Sequence, residues 1–144
     1  MLEREVSCAA QDTEIAMPGA DSLMVLAGLR ILVVEDEPFI ALTLEDMLTE
    51  LGCVVAGLAS QVGEALALIA RETIDGAVLD VNLGAQKIDP VADALAANFT
   101  PFVFTTGYGR SGVPESHNHR GVVQKPFGLD DLAKALAAEY RLRK

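Results

Sequence analysis

The sequence predicts an α/β domain, with a doubly wound parallel sheet of five strands covered by helices on both faces. Three observations carry this prediction. Short apolar runs recur along the chain at Ile31–Val34, Cys53–Leu58, Gly76–Leu79, Pro101–Thr105 and Gly121–Gln124. Between most of them lie segments with apolar residues at helical spacing. Four of the runs lead directly into polar or charged residues: Glu35-Asp36, Asp80, Thr106 and Lys125.

In chain order, Met1 to about residue 28 has no clear period and contains the breaker cluster Met17-Pro18-Gly19. It is expected to be a mostly disordered extension, with the apolar Leu23-Met24-Val25-Leu26 as a candidate docked segment. Residues 29–144 make up the domain. Ile31–Val34 is the first strand, and Pro38 sits where proline opens a helix. Ile40, Leu44, Leu48 and Leu51 recur at helical spacing, and Gly52 closes that helix. Cys53–Leu58 is the second strand. Ser60 is placed to cap the next helix, whose apolar face holds Val62, Leu66 and Ile69.

Asp75-Gly76 turns the chain into the third strand, where three apolar residues run into Asp80. A continuous apolar run of this kind fits a strand buried on both faces. Asn82–Asp89 is a polar loop, and Pro90 opens a short Ala-rich helix ending near Asn98. The fourth strand, Pro101–Thr105, is followed by Thr106-Gly107-Tyr108-Gly109-Arg110-Ser111-Gly112-Val113-Pro114. Three glycines and a proline make a full fourth crossover helix improbable there, so it is expected to be weak or missing. The fifth strand runs into Lys125-Pro126. The last helix starts near Leu129, with Asp130 and Asp131 in its first turn and Arg141, Arg143 and Lys144 at its end, an order that complements the helix dipole.

The 144 residues suit one domain with one core. Twenty-one acidic against 11 basic side chains give a net charge of −10, which repels phosphate backbones and anionic lipid. Nucleic acid and membrane are therefore disfavoured partners, whereas a cation or a basic protein patch is favoured. The two cysteines, Cys8 and Cys53, form neither a disulfide framework nor a metal pair. Met1–Glu5 lacks a secretory pattern, and the apolar run Leu23–Val34 is interrupted by Arg30 and too short to cross a bilayer. A cytoplasmic location is expected.

In an open parallel sheet, ligands bind beyond the carboxyl ends of the strands. Taken singly, each residue at that edge has a plain alternative: an acidic triple is a solvated loop, a lysine before proline a turn, a threonine after a strand a cap. Together they form coherent chemistry. Carboxylates a few ångströms apart repel by roughly 4 kcal/mol per pair at an effective dielectric near 20, so the cluster calls for a divalent cation. Oxygen-only ligands suit Mg²⁺. Asp80 would then be a carboxylate nucleophile for a phosphoryl group. The metal and Lys125 would neutralise charge on that group, and the Thr106 hydroxyl would hydrogen-bond one of its oxygens.

On these residues, the sequence over residues 29–144 resembles the receiver domain of bacterial two-component response regulators. The resemblance implies a metal-binding pair Glu35-Asp36, a phospho-acceptor Asp80, a switch hydroxyl Thr106 and the signature Lys125-Pro126-Phe127. It also implies that the Asn82 backbone carbonyl is a metal ligand and that the Lys125-Pro126 bond is cis. Pro101-Phe-Val-Phe-Thr-Thr-Gly-Tyr108 looks like the single-domain branch named for its Phe-Ala-Thr-Gly-Tyr (FAT GUY) motif, with Thr105 in place of the usual alanine. The implied partners are a histidine kinase or histidine phosphotransferase and a downstream protein target. The implied role is a stand-alone receiver, a relay intermediate or a phosphate sink, rather than an enzyme acting on an external substrate.

Two departures bear on signalling. Val122 occupies the position where most receivers have an aromatic residue, and the glycine-rich segment weakens the usual fourth-helix surface. Phosphorylation is expected instead to order Gly107 to about Arg120, with Tyr108 a substitute aromatic. His117-Asn118-His119 is expected to be solvated loop. Two rivals remain. An aspartate-nucleophile phosphatase would be expected to have a general-acid carboxylate where this chain has Asn82. A pseudo-receiver would bind partners without phosphate.

Overall fold

The computed structural model describes residues 19–143. Five strands form one sheet: β1 (Arg30–Val34), β2 (Val54–Ala59), β3 (Gly76–Asp80), β4 (Phe102–Thr106) and β5 (Val122–Gln124). All pair in parallel, in the order β2-β1-β3-β4-β5. Five helices accompany them: α1 (Ala20–Leu26), α2 (Pro38–Glu50), α3 (Val62–Arg71), α4 (Asp89–Ala97) and α5 (Leu129–Arg143). The doubly wound prediction holds, and so does the missing crossover helix. Between β4 and β5 the chain makes only a 3-10 turn, Glu115–His117.

Strand alternation divides the core into two layers. Leu32, Val34, Ala77, Leu79, Phe102 and Phe104 face α3 and α4, packing with Ala65, Val91 and Leu95. Ile31, Val33, Val78 and Val103 face the other way, packing with Leu44, Leu48, Leu132 and Leu136 from α2 and α5. Both faces of the central strands β1, β3 and β4 are covered, while the edge strands β2 and β5 stay partly exposed. The strand ends are where polar chemistry can reach solvent.

Residues 1–18 of the expected extension lie outside the described residues. The apolar Leu23–Leu26 segment is docked, within α1: Leu26 is fully buried in the α2/α5 layer, and Leu23 and Val25 pack against it. The buried Cys53 thiol donates to the Leu26 carbonyl at 3.4 Å, tying the start of the second strand region to α1. Burial pushes that thiol up to about 11.

Helix starts follow the sequence at α2, where Pro38 occupies the first turn and Glu37 accepts from the Phe39 amide. The α3 start differs from the expected Ser60 cap. Ser60 instead donates both its amide and its hydroxyl to Glu64 Oε1, at 2.9 Å each. The capping acceptor comes from a distant loop, with Gln86 Oε1 receiving the Val62 amide at 2.9 Å. Glu64 reaches back one turn and takes the serine, which leaves the free helix N–H to Gln86.

His117 is likewise not a solvated loop residue. It is buried, its Nε2 lies 2.7 Å from Asp93 Oδ1 on α4, and its ring meets Phe102 edge-on. The Arg120 guanidinium lies over the same Phe102 ring, 4.3 Å from its centroid, and pairs with the buried Glu139 of α5. Arg110 donates to the carbonyls of Asn118 and Arg120. The latter part of the segment after β4 is therefore fastened to both flanking helices by side chains.

Candidate phosphoryl-acceptor site

Register fixes which side chains meet at the carboxyl edge. Val33, Val78 and Val103 lie beside one another across β1, β3 and β4, as do Val34 and Leu79. Two residues beyond the valine row on the same face come Glu35, Asp80 and Thr105, with Asp80 paired directly to Thr105. An apolar row thus gives way to a polar one at the end of the sheet. Glu35 and Asp80 are both buried, while Asp36 is exposed.

Glu35, Asp36 and Asp80 each offer a carboxylate oxygen within 4.8 Å of the others. Lys125, just past β5, lays its Nζ 3.1 Å from Glu35 Oε1 and 3.4 Å from Asp80 Oδ2. The Asn82 amide donates to Asp80 Oδ1 at 3.0 Å, and the Glu37 amide to Glu35 Oε2 at 3.1 Å. Every oxygen of the buried pair thus has a neighbour, but not every one has a hydrogen bond. Glu35 Oε1 is close enough to Lys125 for an ion pair but receives no hydrogen bond.

The electrostatics follow from this packing. Burial lifts the Glu35 carboxyl from 4.5 to about 7, and contact with Asp80 adds to the rise. The Glu37 amide and the Lys125 ammonium pull the other way without cancelling it. Like charges forced together in a dry place disfavour ionisation. An oxygen-only donor set with one buried acceptor still lacking a hydrogen bond is what a hard divalent cation would complete. The residues present therefore fit Mg²⁺, with Glu35, Asp36 and Asp80 as the carboxylates that would hold it.

Thr106 ends β4 with its side chain fully buried and its Oγ1 accepting from the Tyr108 amide at 3.0 Å. Its hydroxyl is thus engaged with its own loop, and Tyr108 points into solvent, three-quarters exposed. The Lys125-Pro126 bond is cis, as the resemblance implies. The structure brings Glu35, Asp36, Asp80 and Lys125 into one cluster and places Thr106 at the neighbouring strand end. Sequence reasoning missed Thr105 as part of the row. The register that sets it opposite Asp80 is a relation between two strands, which spacing along one strand does not give.

The model of the response regulator receiver domain matches residues 31–137. The chain belongs to the response regulator receiver family. Among solved structures, this receiver is similar to SdrG from Sphingomonas melonis, at 49% identity and a TM-score of 0.72, covering 78% of this chain and 97% of that one. It is also similar to the BeF3-activated conformation of SdrG, at 50% identity and a TM-score of 0.67, covering 78% of this chain and 96% of that one. Among relatives, it is 37% identical over 101 residues to the phyllosphere-induced regulator PhyR of Methylorubrum extorquens, covering 67% of this chain and 38% of PhyR. The transcriptional regulatory protein PdtaR of Mycobacterium tuberculosis is 29% identical over 111 residues, covering 74% of this chain and 54% of PdtaR. The receiver thus spans about half of PdtaR or less than half of PhyR. As a receiver it is a two-component signalling module, which implies a kinase or phosphotransfer partner. Among the described residues, no helix is long and apolar enough to cross a membrane.

Proposed function

We propose that this receiver accepts a phosphoryl group on Asp80, with Mg²⁺ held by Glu35, Asp36, Asp80 and the Asn82 carbonyl, and signals by phosphorylation-dependent protein contacts. The observation that carries the reading is the buried Asp80 carboxylate, within reach of two further carboxylates and of the Lys125 ammonium. The phosphodonor is a phosphohistidine on a kinase or phosphotransferase. An Asp80 oxygen attacks phosphorus, the new P–O bond forms as the P–N bond breaks, and the leaving imidazole nitrogen keeps the electron pair and takes a proton.

The chain's own residues have separate tasks. The Asn82 amide holds one Asp80 oxygen and so orients the other for attack. Lys125 places positive charge where negative charge gathers in the transition state. Mg²⁺, when bound, neutralises charge on the carboxylates and on the transferred group. The Thr106 hydroxyl, whose oxygen accepts from the Tyr108 amide, donates its proton to a phosphoryl oxygen and so ties the start of the following loop to the modified site. Hydrolysis by water attack at phosphorus returns the Asp80 carboxylate. The BeF3-activated conformation of the similar SdrG supports this reading, because beryllofluoride imitates a phosphoryl group.

The negative surface and a cleft of about 390 Å³ beside Lys125, lined by Ile40, Thr43, Met47, Pro126 and Phe127, suit protein partners with apolar and basic contacts. The unit that works this way comprises residues 29–144 together with the docked α1, and a cytoplasmic location suits its donor. The test is intact mass after incubation with a small-molecule phosphodonor, with and without Mg²⁺, and after transfer from a phosphorylated histidine kinase. A gain of one phosphoryl group that needs Mg²⁺ and is absent in Asp80→Asn is expected. No gain from either donor would overturn the proposal in favour of a phosphate-independent binding module.

A further inference from the structure

Thr105 occupies a position that neither strand pairing nor core packing explains. Its side chain is fully buried, yet its Oγ1 has no hydrogen-bond partner. A buried hydroxyl left unpaired is costly, and valine would fill the same space without that cost. Its two flanking strands place it in the phosphoryl-acceptor row, because Thr105 pairs with Asp80 on one side and with Val123 on the other.

Topology then sets what passes over it. Lys125 leaves the end of β5, and its ammonium reaches Asp80 on β3 and Glu35 beyond β1. With β4 between β5 and β3 in the sheet, the lysine side chain must cross the end of β4 to get there. Thr105 is the residue of that strand end facing the side on which the Glu35-Asp80 row lies. An ammonium has three donors, and here two acceptors lie near it. One of them, Glu35 Oε1, is the carboxylate oxygen without a hydrogen bond.

We propose that Thr105 is a positioning residue for Lys125: when Glu35 and Asp80 are drawn to a cation and a phosphoryl group, the Thr105 hydroxyl oxygen accepts from the Lys125 ammonium and holds it over the transferring group. The hydroxyl is unpartnered in the state described here because the carboxylates hold the lysine. This inference rests on the phosphoryl-acceptor reading of Asp80.

The experiment compares wild type, Thr105→Val and Thr105→Ser, each also combined with Lys125→Ala. Initial phosphorylation rates are measured with phosphoramidate and Mg²⁺, or by transfer from a phosphorylated histidine kinase where phosphoramidate fails. Thermal midpoints of the cation-free proteins are recorded alongside. Thr105→Val should slow phosphorylation about tenfold, the cost of roughly one hydrogen bond to a charged group. Thr105→Ser should stay within about twofold of wild type. In the Lys125→Ala background, Thr105→Val should cause no further loss, because the hydroxyl then has no ammonium to hold. The thermal midpoint of Thr105→Val should be equal to or above wild type, which separates a positioning role from a structural one. An unchanged rate in Thr105→Val, or an equal loss with and without Lys125, overturns the inference while leaving Asp80 as acceptor. Absence of phosphorylation of wild type by either donor overturns both.

Discussion

Asp93 on α4 and His117 on the 3-10 turn are joined by a 2.7 Å contact between Oδ1 and Nε2. The imidazole is buried against Phe102, whereas the carboxylate is largely exposed. The contact fastens a segment whose glycine content argues for looseness. His117→Ala removes both the polar contact and the packing on Phe102, so it should destabilise the fold by about 1–3 kcal/mol. Amide exchange should report protection over residues 117–121 in the unmodified chain and its loss in the variant. Equal protection in both would show that Arg110, Arg120 and Glu139 hold the segment without it.

The Glu35 carboxyl makes stability depend on pH. Its folded value near 7 lies above its ordinary 4.5, so the folded state binds this proton more tightly than the unfolded chain does. The stability it contributes is complete below about pH 4.5 and is lost as pH rises through about 7. Without divalent cation, urea unfolding of wild type should therefore weaken relative to Glu35→Gln between about pH 5 and pH 8. The relative loss should be on the order of 2–3 kcal/mol. A constant difference across that range would contradict the assignment.

Gly76 opens β3 against the Tyr140 hydroxyl, which donates to the Asp75 carbonyl. A Cβ at Gly76 would meet that hydroxyl and would lie 3.1 Å from Ile31 Cδ1. Gly76→Ala is expected to cost about 1–3 kcal/mol by overpacking. Tyr140→Phe should recover part of that loss when combined with it, because the hydroxyl is the atom in the way. Strict additivity in a double-mutant cycle would refute the assignment of the clash.

Phe99 follows the Asn98 cap of α4 at φ +58°, a left-handed conformation that suits glycine, and is 77% exposed. Little packing is lost when the ring is removed. Phe99→Gly should raise stability by about 1 kcal/mol and the thermal midpoint by about 3–5 °C. A lower midpoint would mean that the ring contributes contacts outweighing the strain.

The strands and the acidic edge were legible in the sequence for one reason. A parallel sheet buried on both faces needs continuous apolar runs, so a charged residue ending such a run has to be at its rim. Asp80 and Lys125 announce themselves this way. The roles that escaped belong to side chains reaching far along the chain. Gln86 caps a helix 24 residues earlier, and His117 pairs with a carboxylate 24 residues before it. Local spacing carries no trace of such pairings. Ser60 misled because its hydroxyl suits a cap, yet Glu64 one turn later captures it. The docking of α1 was only half visible, since its apolar run is short and nothing nearby in sequence names the surface it covers.

The Gln86 side chain braces one side of the carboxylate cluster. The loop after Asp80 is closed by the Leu83–Gln86 bridge, anchored by the buried Leu83 and Ile88, and bolted to α3 through Gln86. Facing it, the turn after Thr106 contains Gly109 and Gly112 at positive φ and presents Tyr108 to solvent. One wall of the site is thus braced by a side chain against a distant helix, while the other is a glycine turn whose aromatic residue stands in water.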